Sequence, residues 1–140
     1  MTPMKRVTGI GGVFFAAKDP KALGAWYKEH LGIDVSEWGT AAFHWTDDDG
    51  KPVGGATAWR VAAEGDDAFA PNKNFTVNYR VADLDGLLKV LKEEGCNVSD
   101  KVQVDPDYGK FGSVIDPEGN KIELWEPPAG EYDDGTAEGL

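Results

Sequence analysis

The chain has 140 residues, 41% hydrophobic and 28% charged, a composition that suits one globular domain or two small repeats sharing a core. Fourteen Lys and Arg against 25 Asp and Glu leave a formal charge of −11, which argues against nucleic acid and anionic membranes as partners, since both select clustered basic side chains. No apolar run approaches the roughly 18–20 residues of a membrane span, no secretion signal is legible at the N-terminus, and a cytoplasmic protein is expected.

In chain order, Val7–Ala17 is rich in β-branched and aromatic residues and reads as a strand. It leads into Asp19-Pro20, an N-cap with proline at the first helical position. Leu23, Trp26, Tyr27 and Leu31 follow at helical spacing, with Trp26 assigned to the packed face, and Gly32 supplies the left-handed end. Ile33–Glu37 is a further strand candidate. Phe43–Thr46 and Val53–Val61 flank the polar turn Asp47-Asp48-Asp49-Gly50-Lys51, and the polar stretch Ala62–Asn74 reads as a connection. Phe75–Val81 is the next strand, with Asp83 as the cap of a second helix striped by Leu84, Leu87, Leu88 and Leu91 and closed by Gly95. Cys96 is the only cysteine, which excludes an internal disulfide and a cysteine zinc cluster, and it reads as a small buried hydrophobe. Val98–Val104 is another strand candidate. Gly112–Asp116 and Lys121–Trp125 flank the hairpin turn Asp116-Pro117-Glu118-Gly119-Asn120, and residues 129–140 form an acidic tail.

These pieces repeat. A shift of 64 residues places Val13 on Val77, Phe15 on Tyr79, Asp19 on Asp83, Leu23 on Leu87 and Lys28-Glu29 on Lys92-Glu93. Each half reads strand, helix, strand, strand, strand, and a helix covers one face of each sheet. The expected class is α+β, a single domain over 7–127 made of two βαβββ modules, 7–61 and 74–127. The uncovered sheet faces must be buried elsewhere or enclose a cavity.

Three segments, VFFAAKDPKALGAWYKEHLG (13–32), VNYRVADLDGLLKVLKEEG (77–95) and GSVIDPEGNKIELWEP (112–127), resemble the vicinal oxygen chelate superfamily. That superfamily includes glyoxalase I, extradiol dioxygenases and the bleomycin- and fosfomycin-resistance proteins. The resemblance implies curled mixed sheets around a small-molecule cavity, and a homodimer. In its metal-using members a His on the first strand of each module and a Glu on the last strand hold the ion. Counting back from the cap aspartates places Gly12 and Thr76 at the two His positions, with Glu123 at the Glu position. Gly offers no side chain and a Thr hydroxyl is a poor ligand for a divalent transition metal, so no metal and no other cofactor are expected. His30 falls in the last helical turn, and His44 faces opposite to Phe43 and Trp45; neither rebuilds the site.

Strand alternation then gives a cavity wall. Phe14 faces it from the first strand, with Trp45, and with Thr57 and Trp59 sharing one parity. Thr76, Asn78 and Arg80 share the face opposite Phe75, Val77, Tyr79 and Val81, and Glu123 and Trp125 share the face opposite Ile122 and Leu124. An aromatic wall with a few polar groups is a common composition for a small-molecule site. Glu123, inward and without a metal, needs a partner, for which Arg80 and Arg60 are the candidates. These residues fit a metal-free protein that binds or sequesters an aromatic or amphipathic small molecule, as bleomycin-resistance proteins do. They also leave open an enzyme, either metal-free with Glu123 as general base or a metal-dependent lyase, isomerase or oxidoreductase.

Overall fold

The computed structural model describes residues 6–128; the acidic tail at 129–140 lies outside the described residues. The elements are β1 (Val7–Ala17), α1 (Pro20–Leu31), β2 (Thr40–Thr46), β3 (Pro52–Ala63), β4 (Phe75–Val81), α2 (Leu84–Glu93), β5 (Asn97–Val98), β6 (Gln103–Asp105), β7 (Gly109–Ile115) and β8 (Lys121–Glu126). They build an α+β fold with one open, mixed sheet of order β2-β3-β1-β4-β8-β7-β5, with β6 also paired to β7. The modules meet at its centre, where β1 and β4 run antiparallel, while within each module β1–β3 and β4–β8 are parallel.

The caps are made by the residues that the sequence marks. Asp19 accepts from the Ala22 amide and Asp83 from the Gly86 amide, both at 3.1 Å. The two hairpins turn on the same device. Asp47 Oδ1 accepts from the amides of Asp49 and Lys51, and Asp116 Oδ1 from those of Glu118 and Asn120, all at 2.9 Å. Gly50 and Gly119 supply the positive φ that each turn needs, +79° and +83°.

Four expectations are corrected. Ile33–Glu37 is not a strand: Ser36 Oγ accepts from the amides of Trp38 and Thr40, and this side-chain turn competes with strand pairing. The candidate Val98–Val104 is interrupted, and only its ends pair, in β5 and β6. Trp26 does not fill the core. It is 49% exposed and packs on its helix neighbours Tyr27 and His30, while buried Gly24 takes the close approach to Val35. Cys96 is exposed, because Gly95 at φ +82° swings the chain out after α2.

Two apolar clusters fix which sheet face is which. Val81 and Leu124 pack under Leu84, Leu87 and Leu88 of α2. Phe15 meets Tyr27 of α1 edge-on at 5.7 Å. The opposite face carries Phe14, Ala58 and Ala62, and Phe69 from the connection 64–74 packs on them. That connection is therefore more than a polar spacer. Phe69 and Ala70 are buried, Thr76 Oγ1 donates to the Ala68 carbonyl at 2.6 Å, and Lys121 Nζ donates to the Asp67 carbonyl at 2.5 Å, so the segment covers one end of the helix-free face.

Candidate functional site

The helix-free face carries a row of residues fixed by strand register. Ala58 lies beside Gly12, Gly12 beside Asn78, Asn78 beside Glu123, and Glu123 beside Ser113. Because Leu124 and Val81 point into the α2 core, their neighbours Glu123, Trp125, Asn78 and Arg80 project to the other side. Asn78 Nδ2 donates to Glu123 Oε1 at 2.6 Å. Asn78 is 2% exposed and its Oδ1 has no partner, an acceptor wedged beneath Gly11 where a Cβ would collide with it.

Around this pair opens a cavity of about 340 Å³. Phe14, Tyr108, Phe111 and Trp125 form its aromatic wall, and Thr40, Arg60, Gln103 and Asp105 add polar groups. Phe111 and Trp125 face each other across the β7–β8 register with ring planes 4° apart and centroids 6.1 Å apart. Trp125 is 1% exposed, and its Nε1 donates to the Tyr108 carbonyl at 2.6 Å, which ties the β6–β7 turn to the cavity floor. Burial pushes the Glu123 carboxyl above the ordinary carboxylate range, opposed first by the Asn78 hydrogen bond and then by the charges of Arg60 and Lys121.

The arginine partner expected for Glu123 is replaced by an amide. Arg60 Nη2 pairs with Asp66 Oδ2 at 2.8 Å and acts on Glu123 only through space. Arg80 lies elsewhere, with its guanidinium over the Trp45 ring at 5.1 Å, and these two line a separate cavity. Thr57 lines neither cavity; its hydroxyl accepts from Trp45 Nε1 at 2.8 Å and donates to the Ile10 carbonyl at 3.1 Å, so it braces Trp45. Thr76 is likewise absent from both walls, being spent on the connection. Trp59 borders the first cavity but turns its ring toward α1, edge-on to Phe15 at 5.2 Å and to Tyr27 at 5.1 Å. Its β1 neighbour is Val13, which has the parity of Phe15 and not of Phe14. The structure thus gathers Phe14, Asn78, Glu123 and Trp125, and adds Phe111, Tyr108 and Asp105, which were not singled out as wall residues. Phe111 was within reach, since counting back from the Asp116 turn pairs it with Trp125.

A metal centre of the kind that the resemblance brings to mind does not fit these donors. The residue level with Gly12 and Glu123 is Asn78, whereas Thr76 stands beside Phe14, two residues further along. Gly12 and Ala58 bring no donor, and Asn78 spends an N–H on Glu123. A Cβ at Gly12 would meet Phe14 Cε1 at 3.0 Å, so an aromatic ring stands where a ligand side chain would rise. Among the described residues no three His, Cys, Asp or Glu side chains are grouped to hold an ion.

Residues 12–125 match the model of the glyoxalase-like domain. The chain belongs to that family. The glyoxalase-like domain superposes on methylmalonyl-CoA epimerase from Mycobacterium tuberculosis with a TM-score of 0.58 at 19% identity, covering 91% of this chain and 93% of that one. A Streptomyces coelicolor methylmalonyl-CoA epimerase variant in complex with 2-nitronate-propionyl-CoA gives 0.63 at 22% identity, with 88% and 96% covered. A glyoxalase/bleomycin resistance protein/dioxygenase superfamily member from Vibrio splendidus 12B01 gives 0.52 at 11%, with 90% and 100% covered. At these identities the likeness establishes the fold and carries no activity across. No curated protein matches the glyoxalase-like domain closely enough to count as a relative.

Proposed function

We propose that this glyoxalase-like domain binds a small amphipathic molecule with a flat aromatic body and a hydrogen-bond donor or cationic group, without a divalent metal, and so carries or sequesters it. The observation that supports this most is the Glu123 carboxylate held by Asn78 on the floor of a cavity walled by Phe14, Phe111, Tyr108 and Trp125. A carboxylate there accepts from a ligand N–H, and the aromatic rings take its planar face. Asp66 neutralises Arg60 across 2.8 Å, so Glu123 and Asp105 set the sign of the cavity. Its volume of about 340 Å³ suits a ligand of one or two rings.

A panel of aromatic amines and amidines, beginning with tryptamine and benzamidine, tests the reading by tryptophan fluorescence and thermal shift. Saturable binding is expected, weakened about tenfold by Phe111→Ala, which is about 1.4 kcal/mol. Glu123→Gln weakens the cationic members more than neutral ones. Failure of the whole panel, or binding indifferent to both substitutions, overturns it. A second reading rests on the raised proton affinity of Glu123: a metal-free enzyme in which this carboxylate removes a proton from the bound molecule while the Asn78 N–H holds its other form. Turnover that survives a chelator and is lost in Glu123→Gln would favour it over simple binding. The same reading takes the chain as a cytoplasmic homodimer, checked by light scattering on the purified protein.

A further inference from the structure

We infer that the Glu123 cavity takes a ligand charged at both ends, with a cationic group toward Glu123 and a carboxylate, on the far side of its ring, toward Arg60. This deepens the function proposed above and rests on it.

Two cations act on Glu123, Arg60 and Lys121, but only Arg60 lines the cavity. Lys121 is turned to the connection 64–74, where its Nζ donates to the Asp67 carbonyl. Arg60 is held from two directions. Its Nη2 donates to Asp66 Oδ2 at 2.8 Å, and its Cζ lies 5.8 Å from the centre of the Phe14 ring, within cation–π range. Asp66 is itself fixed, since its Oδ1 accepts from the Ala68 amide at 2.9 Å. That one carboxylate oxygen engages one of the five N–H donors of a guanidinium, and stacking over a ring uses none of them. Asp66 thus cancels the Arg60 charge at long range and leaves the guanidinium able to donate to an anion in contact with it.

The register sets how far apart the two ends of the ligand lie. Asn78 holds Glu123 level with Gly12, whereas Arg60 stands beside Phe14, two residues further along β1. That is a step of about 7 Å along the strands. The Phe14 ring fills this step, with its Cε1 3.0 Å from where a Gly12 Cβ would stand and the Arg60 guanidinium over its face. One benzene ring with substituents at opposite ends matches the gap. The acids set which end goes where. Glu123 is on the floor and Asp105 on the β6 side, whereas Thr40 and Arg60 are paired on β2 and β3. A carboxylate is repelled from the first side and received at the second.

Benzamidine and its para-carboxylate, titrated into the full chain and followed by tryptophan fluorescence, test the inference. The para-carboxylate is expected to bind about tenfold tighter, although the chain carries a charge of −11. The ortho isomer, whose carboxylate lies on the amidine side of the ring, gains nothing. Arg60→Lys keeps a cation without the planar fork and loses most of the gain, and Arg60→Gln loses all of it. Asp66→Asn releases the N–H that Asp66 engages and enlarges the gain about threefold. The two side chains are 36% and 30% exposed, so these variants leave the apolar clusters intact. A gain that survives in Arg60→Gln, or one shared by the ortho isomer, overturns the inference. Benzamidine binding with no gain for the para-carboxylate overturns it and leaves the Glu123 reading standing, whereas no binding by either compound overturns both.

Discussion

Glu123 is held by two opposed effects, burial that favours its proton and the Asn78 N–H that favours its charge, and burial is the larger. A carboxyl whose folded proton affinity exceeds its unfolded one gives its full contribution to stability below the unfolded range and loses it as pH rises through the folded one. Glu123→Gln keeps an acceptor for Asn78 Nδ2 while removing the buried charge. The variant is therefore expected to melt above the wild type at about pH 8, with the advantage shrinking toward about pH 4. A lower melting temperature at the alkaline end would show that the Asn78 bond and the neighbouring cations outweigh burial. At this scale the sequence was informative wherever parity decides. Asn78, Glu123 and Trp125 follow from alternation along single strands. Trp45 does not, because Gly54 and Gly55, both at positive φ, and a register shift between His44 and Thr46 break the alternation near the β2–β3 turn; Thr57 and Trp59 do alternate regularly, but it is the register against β1, with Trp59 beside Val13, that decides which face they take.

Between the two helices the difference is one of anchorage. α2 buries Leu84, Leu87 and Leu88, whereas in α1 only Gly24 is buried and Leu31 is 61% exposed. Leu84→Ala should cost about 2–5 kcal/mol in urea unfolding, since it empties a fully buried site. Asp83→Ala should cost about 1 kcal/mol through the lost cap. Leu31→Ala should change stability by no more than about 0.5 kcal/mol. Equal losses at Leu84 and Leu31 would contradict this division. The caps and both hairpin turns were legible because each is a local contract between a side chain and amides two to four residues away. The loss of the strand at Ile33–Glu37 and the burial of Phe69 were not. The first depends on Ser36 Oγ accepting from the amides of Trp38 and Thr40, and the second on a sheet face more than 50 residues of chain in the making.

Across the whole molecule the central row of the sheet sets Gly12, Ala58 and Asn78 beside Glu123, a set that offers a metal a single carboxylate and no imidazole or thiolate. After incubation with nickel, zinc, manganese and iron(II) salts and desalting, the protein is expected to retain far less than one metal per chain. Retention of about one, lost in Glu123→Gln, would require donors outside this row. The 64-residue shift places the strand-to-cap junctions of β1–α1 and β4–α2 in the same order along the chain, but which residues stand level across the sheet was not legible from it. The antiparallel register of β1 and β4 is regular from Gly12↔Asn78 to Phe15↔Phe75, so it sets Gly12 opposite Asn78 and Thr76 opposite Phe14. The central pairing of β1 with β4 also orders the assembly of the chain in time. The hairpins β2–β3 and β7–β8 close locally, whereas joining Val7 to Val81 and Asn78 to Glu123 closes long loops and comes at a larger entropic cost. The hairpins are then the early structure and the seam the late one, so Val114→Ala should slow refolding while Phe14→Leu mainly speeds unfolding in chevron measurements. On this order the cavity does not exist until the last strands meet, and a bound molecule acts as a brake on unfolding more than as a guide to folding.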